Sequence, residues 1–129
     1  MTGTISFEHD KVNDIIFAKP KWNIETKQDC EIWYQQWSDY LKTFGKKIDI
    51  VVSLDEFKVA AQVAEAWGEY RAKLNNDFFR FSYRVNPELI TGIFIKTSGI
   101  RYHAATKEAL SIESAIVAIK EERKNAGIE

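Results

Sequence analysis

Ile48-Asp49-Ile50-Val51-Val52 is a β-branched run bounded by charge, set between two stretches whose apolar residues recur at helical spacing. A short apolar run without alternation reads as a strand buried on both faces. On the upstream side, Cys30, Trp33, Trp37, Leu41 and Phe44 recur every three or four residues, one stripe of a helix. Thr26 followed by Asp29 predicts a capping box at its start, and Gly45 a stop at its end. On the downstream side, Val59, Val63, Trp67, Tyr70 and Leu74 share a second helical face, which predicts a helix starting near Lys58 and broken at Asn75-Asn76-Asp77. A buried strand between two covering helices belongs to an α/β sheet.

The remaining segments extend that pattern. Thr4 to Glu8 alternates polar and apolar, and Ile15-Ile16-Phe17-Ala18 follows after a polar break, which predicts an opening hairpin ended by Pro20. Phe79, Phe81, Tyr83 and Val85 alternate with Arg80, Ser82 and Arg84, a period-two strand. Asn86-Pro87-Glu88 starts a third helix carrying Leu89, Ile90, Ile93 and Phe94, with Gly99 as its expected end. Ile100 to His103 is expected as a last strand, and Ser111 as the cap of a final helix carrying Ile112, Ala115, Ile116 and Ile119. The expectation is an α/β fold in ββαβαβαβα order. It comprises a single mixed, mostly parallel sheet of about five strands covered by four helices, one domain over residues 1–129.

The chain has 129 residues with 18 basic and 19 acidic side chains, for a net charge of −1. That balance argues against a nucleic-acid partner, although Phe78-Phe79-Arg80-Phe81 superficially resembles a base-stacking platform. No apolar run approaches the length of a membrane span, and Met1 to Asp10 lacks the pattern of a signal peptide. A cytoplasmic setting is therefore expected, and a homodimer is compatible with it.

Catalytic chemistry is hard to assemble. Cys30 is the single cysteine and falls on an apolar stripe, which gives it a packing role. His9 reads as an exposed strand-end residue, and the two histidines lack the spacing of a metal site. The serines lack a nucleophile-elbow setting, and the glycines form no phosphate loop. No metal, no cofactor and no enzymatic activity are expected.

With its elements in this order, the chain resembles the STAS family, named for sulphate transporters and anti-sigma-factor antagonists. The resemblance rests on the opening hairpin, on Ile48-Asp49-Ile50-Val51-Val52-Ser53-Leu54-Asp55 running into a helix, and on the closing Ser111-Ile112-Glu113-Ser114-Ala115. Thr97-Ser98-Gly99-Ile100-Arg101-Tyr102-His103 is similar to stretches of bacterial STAS-like proteins. The resemblance implies a non-enzymatic regulatory module that docks a protein partner through the loop and helix after the central strand. In the antagonist branch that loop carries a phosphoacceptor serine. Here Leu54-Asp55-Glu56-Phe57-Lys58-Val59-Ala60-Ala61 has no serine or threonine, so a phosphorylation switch is not expected at that place.

The partner-binding candidates are accordingly Asp55, Glu56, Phe57 and Lys58, with Phe57 as an exposed aromatic anchor. The alternative is a small-molecule or lipid-binding protein, with a pocket between the third helix and the sheet. Its candidate ligand residues are Arg101, Tyr102 and His103, at the end of the expected last strand.

Overall fold

The opening alternation folds as a hairpin in which β1 (Thr4–Asp10) lies antiparallel to β2 (Ile15–Ile24). This computed structural model describes residues 3–86, 89–101 and 107–128, and for residues 89, 90 and 98–101 only the backbone. β2 does not stop at Pro20. The proline stands between the residues paired with the central strand, Ile16 to Ala18, and those paired with a later short strand, Trp22 to Ile24. Its missing N–H therefore falls where the strand changes partners, and pairing continues past it.

α1 (Lys27–Leu41) begins at the expected capping box. The Asp29 amide donates to Thr26 Oγ1 at 3.0 Å, and the Thr26 amide donates to the Asp29 carboxylate at 3.1 Å. A 3-10 turn over Lys42–Phe44 follows, ended by Gly45 at φ +65°, a left-handed conformation in which glycine is unstrained. Thr26→Ala is expected to cost about 1 kcal/mol, because the Asp29 amide at the helix start loses its side-chain acceptor. Denaturant unfolding measures that loss.

β3 (Ile48–Ser53) is the central strand, parallel to β2 on one side and to β5 (Phe79–Val85) on the other. The segment after it departs from expectation. Phe57 begins a short strand, β4 (Phe57–Val59), parallel to the far end of β2, and is 1% exposed. The second helix consequently starts later, as α2 (Ala64–Phe78), after a 3-10 turn over Ala61–Val63. Ladder pairing with β2 takes residues 57–59, and the Ala60 amide donates to the Ile24 carbonyl at 2.8 Å. α2 also runs through Asn75-Asn76-Asp77. Buried Asn75 turns its side chain to Ser82 and Arg84, a tertiary contact that outweighs its weak helix propensity.

α3 (Leu89–Arg101) passes through Gly99 and contains Ile100 and Arg101, so the expected strand at those two residues is not formed. Tyr102 and His103, the rest of that expected strand, lie outside the described residues. A helix-interior glycine costs about 1 kcal/mol against alanine. The packing of the preceding apolar turns on α2 and β4 outweighs it. The last strand is instead β6 (Glu108–Ala109), parallel to β5, and α4 (Ile112–Asn125) follows with Ser111 as its cap.

The sheet order is β1-β2-β3-β5-β6, with β4 beside β2. It is a mixed, mostly parallel sheet covered by four helices. Ile16, Ala18, Ile50 and Val52 pack with residues of α1, α2 and α3 on one face, whereas Ile15, Val51 and Val85 meet Ala115 and Ile119 of α4 on the other. Among the described residues, no helix is long and apolar enough to cross a membrane.

Candidate ligand-binding site

The loop expected to carry recognition is largely part of the sheet. Phe57 lies with its ring centroid 6.1 Å from that of Trp33 and 5.8 Å from that of Trp67, inside the larger core. Its role as an exposed anchor is corrected: an aromatic between charges, Glu56 and Lys58, is what a two-faced edge strand looks like when one face is buried. Asp55 and Glu56 stay at the surface, where Lys19 Nζ is 3.6 Å from the first carboxylate and 3.1 Å from the second. Lys21 reaches Glu56 at 3.5 Å. The hydrogen bond from Lys19, then the charge of Lys21, holds the Glu56 carboxyl below its ordinary range. Such exposed pairs add little to stability, because water and salt screen them. Lys58 is exposed.

Of the alternative candidates, Arg101 ends α3 and its side chain is not described, and Tyr102 and His103 lie outside the described residues. His9 is half-buried rather than exposed: its Nε2 lies 2.9 Å from Asp14 Oδ1 and its ring stands edge-on to Phe44. Cys30 is fully buried, and burial pushes its thiol up to about 11, which keeps it an unreactive thiol at neutral pH. Among the described residues no three His, Cys, Asp or Glu side chains converge.

The feature that stands out lies under the three-helix face. A small cavity, about 30 Å³, is lined by side chains of α1, α2, α3 and the sheet. Its walls include Trp33, Trp37, Phe57 and Trp67, together with the guanidinium-bearing Arg71 and Arg84. Arg71 sits on α2 and is 3% exposed; Arg84 sits on β5 and is 4% exposed. Arg84 Nη1 donates to Ser82 Oγ at 3.0 Å, and Nη2 to Asn75 Oδ1 at 3.4 Å, both neutral acceptors. Burial, reinforced by the like charge of Arg71, pulls the Arg84 guanidinium down to about 9, and the charge of Glu108 opposes this. Burial alone brings Arg71 down to about 10. Both remain cations at neutral pH.

Neither arginine was legible as a site residue. Arg84 sits in a polar–apolar alternation, which reads as a solvent-facing position. A register shift between Ile48 and Ile50 pairs Ile48 with Phe79 but Ile50 with Ser82, placing an extra residue in β5. After this bulge Ser82 and Arg84 are buried, while Phe81 and Tyr83 pack towards α4. Arg71 is four residues after Trp67, on the same side of α2. That spacing is the one signal that places it inward.

The fold defines a class: a helix-covered, mostly parallel α/β sheet with cationic side chains inside one of its hydrophobic layers. No protein-family model matches the chain, and no curated protein matches it significantly.

Proposed function

We propose that this protein is a non-enzymatic binding module for a small molecule, received between the third helix and the sheet. The observation that carries the reading is the buried side chain of Arg84, a residue on the wall of an aromatic cavity. Arg84 is buried with the neutral Ser82 and Asn75 as its described hydrogen-bond partners, and burying a cation in that way is costly, so the fold has a use for the charge. Drug-sized ligands occupy roughly 300–1,000 Å³. A cavity of about 30 Å³ therefore takes a very small ligand, or the head of a larger one that displaces α3 as it enters.

The same reading treats the fold as STAS-like, from the order of elements around β3, and the setting as cytoplasmic, which suits a chain whose one cysteine is a buried thiol. The test is a panel of small acids, amides, amines and alcohols, followed by thermal unfolding and tryptophan fluorescence. At least one class is expected to raise the unfolding temperature with a saturable fluorescence change. A protein unmoved by every class refutes the reading.

A second reading is docking of a protein partner through Asp55, Glu56 and Lys58. Its support is an open groove of about 450 Å³ lined by Lys21, Trp22, Glu25, Glu56 and Lys58 among others. With Phe57 in the core, that surface relies on charge, which governs encounter more than affinity. Slower association on neutralising Asp55 and Glu56 together is the result that would favour it.

A further inference from the structure

We propose that the outer edge of β1 is a pairing surface for a second copy of this chain, and that the side chain of Gln36 closes it. The surface is separate from the ligand cavity and from the charged loop after β3.

β1 ends the sheet and is bonded to β2 on one side only. It is seven residues long and keeps one register from Thr4 opposite Lys21 to Asp10 opposite Ile15. Edge strands are ordinarily kept from pairing by shortness, a bulge, a proline or a lysine. β6, at the opposite end of the sheet, is two residues long. β1 has no such protection: it is long and regular, and contains neither proline nor lysine.

What covers part of its edge is one side chain. The Ile5 amide donates to Gln36 Oε1 at 3.2 Å, and Gln36 Nε2 donates to the Gly3 carbonyl at 3.4 Å. These are the bonds that a peptide group of a neighbouring strand would make, so the amide of Gln36 stands where a further strand would lie. α1 holds it there. One helical turn on, Tyr40 stacks on Phe7 with ring centroids 4.0 Å apart, and Trp37 meets the same ring edge-on at 5.3 Å. Gln36 and Ile5 are the preceding step of that match between helix and strand.

The Gln36 bond also fixes which peptide groups face outward. Sides alternate along a strand, so Phe7 and His9 point their N–H and C=O groups the same way as Ile5. These three residues can pair antiparallel with the same three of a second copy, centred on Phe7. Ile5 then lies opposite His9, and Phe7 opposite Phe7. On the exposed face Ser6 comes opposite Glu8 and Thr4 opposite Asp10, hydroxyl against carboxylate. A shift of two residues one way sets Glu8 against Glu8, a destabilising pair of like charges. The opposite shift leaves His9 and Asp10 with no strand residue facing them. The edge is therefore complementary to itself in one register, and a two-fold pairing of identical strands uses that match. An unrelated extended segment would gain the backbone bonds without it. Pairing needs the Ile5 N–H of both copies, so both Gln36 side chains must first leave.

Sedimentation of the full chain over a concentration series, with Gln36→Ala beside the unaltered protein, measures the dimer. The variant is expected to dimerise about tenfold more tightly or better, since competing hydrogen bonds are lost in both copies. Cross-linking reads the register. Ser6→Cys and Glu8→Cys are made separately in the Gln36→Ala background; opposed positions of this kind have Cα atoms about 4.5 Å apart, within disulfide reach. Cys30 is buried and does not compete. On mild oxidation, a mixture of the two variants should form the mixed disulfide faster than either variant alone forms its own. Should Gln36→Ala not fold, the same mixture with Gln36 in place reads the pairing at higher concentration. Chains that stay monomeric at every concentration overturn the proposal, as does a dimer that cross-links no better in the mixture. Equal dimerisation of Gln36→Ala and the unaltered protein overturns the role of Gln36. A chain that stays monomeric, but whose Ile5 and His9 amide NMR signals shift with an extended peptide of unrelated sequence, overturns the second copy as the occupant.

Discussion

Trp67→Ala is expected to lower the unfolding free energy by about 3–5 kcal/mol, the range for removing a large ring from a packed core. Trp67 is 2% exposed, and its ring centroid lies 5.8 Å from those of both Trp33 and Phe57. The rings of this cluster support one another, so the hole left by the deletion cannot close by the shift of a single neighbour. Equilibrium unfolding in guanidinium measures the loss. A change below about 1 kcal/mol would mean that the indole contributes little packing. The same substitution enlarges the cavity, so a variant folded well enough to study should accept bulkier ligands.

Asp49→Ala is expected to cost about 3 kcal/mol or more, the lower end for breaking a buried ion pair by removing one partner. The Asp49 side chain is 0% exposed and accepts from Arg80 Nε at 2.8 Å, Arg80 Nη2 at 2.6 Å and Arg123 Nε at 2.7 Å. The Phe81 amide adds a fourth bond at 3.2 Å. Arg80 retains 35% exposure and can turn to water, whereas Arg123, at 14%, has less freedom to do so. Burial opposes the charge on Asp49, but the bonds from Arg80 and Arg123 outweigh it and hold the carboxyl below its ordinary range. Its contribution to stability is therefore complete above the ordinary carboxylate range and fades as the pH falls below it. In the unaltered protein, stability should drop more steeply with acid than in Asp49→Ala, and the two curves should converge at the acid end.

Much of the fold follows from local pattern. The central strand, the stripe of α1 with its Thr26–Asp29 cap, and Ser111 at the start of α4 depend on neighbours within a few residues, and such signals can be read along a chain. The departures have the opposite origin. Phe57 is buried because the end of β2 supplies a ladder for residues 57–59, more than thirty positions away in sequence. α2 continues through Asn75 because Ser82 and Arg84 engage its side chain from β5. The candidate site was less legible still. Arg84 turns inward through a one-residue bulge, and bulges have no composition of their own. Trp33 and Trp37 fall on the inward stripe of α1 as expected, yet periodicity tells which face a ring occupies and not whether its N–H finds an acceptor there.

Arg123 reaches from α4 across the molecule, donating to Asp49 of β3 and to the carbonyls of Asn13 and Asp14 in the first hairpin turn at 2.6 and 2.7 Å. This has a consequence for the order in which the chain matures. On the ribosome every strand emerges before Arg123 does, so the hairpin turn and the carboxylate of β3 wait for a residue made more than a hundred positions after the turn. Until α4 docks, one face of the sheet lacks its cover, and Asp49 has at most Arg80 as a counterion. Final consolidation is thus postponed to a late, long-range event, the kind of closure that slows folding. Hydrogen exchange in the hairpin turn should therefore report on the attachment of a helix from the other end of the sequence.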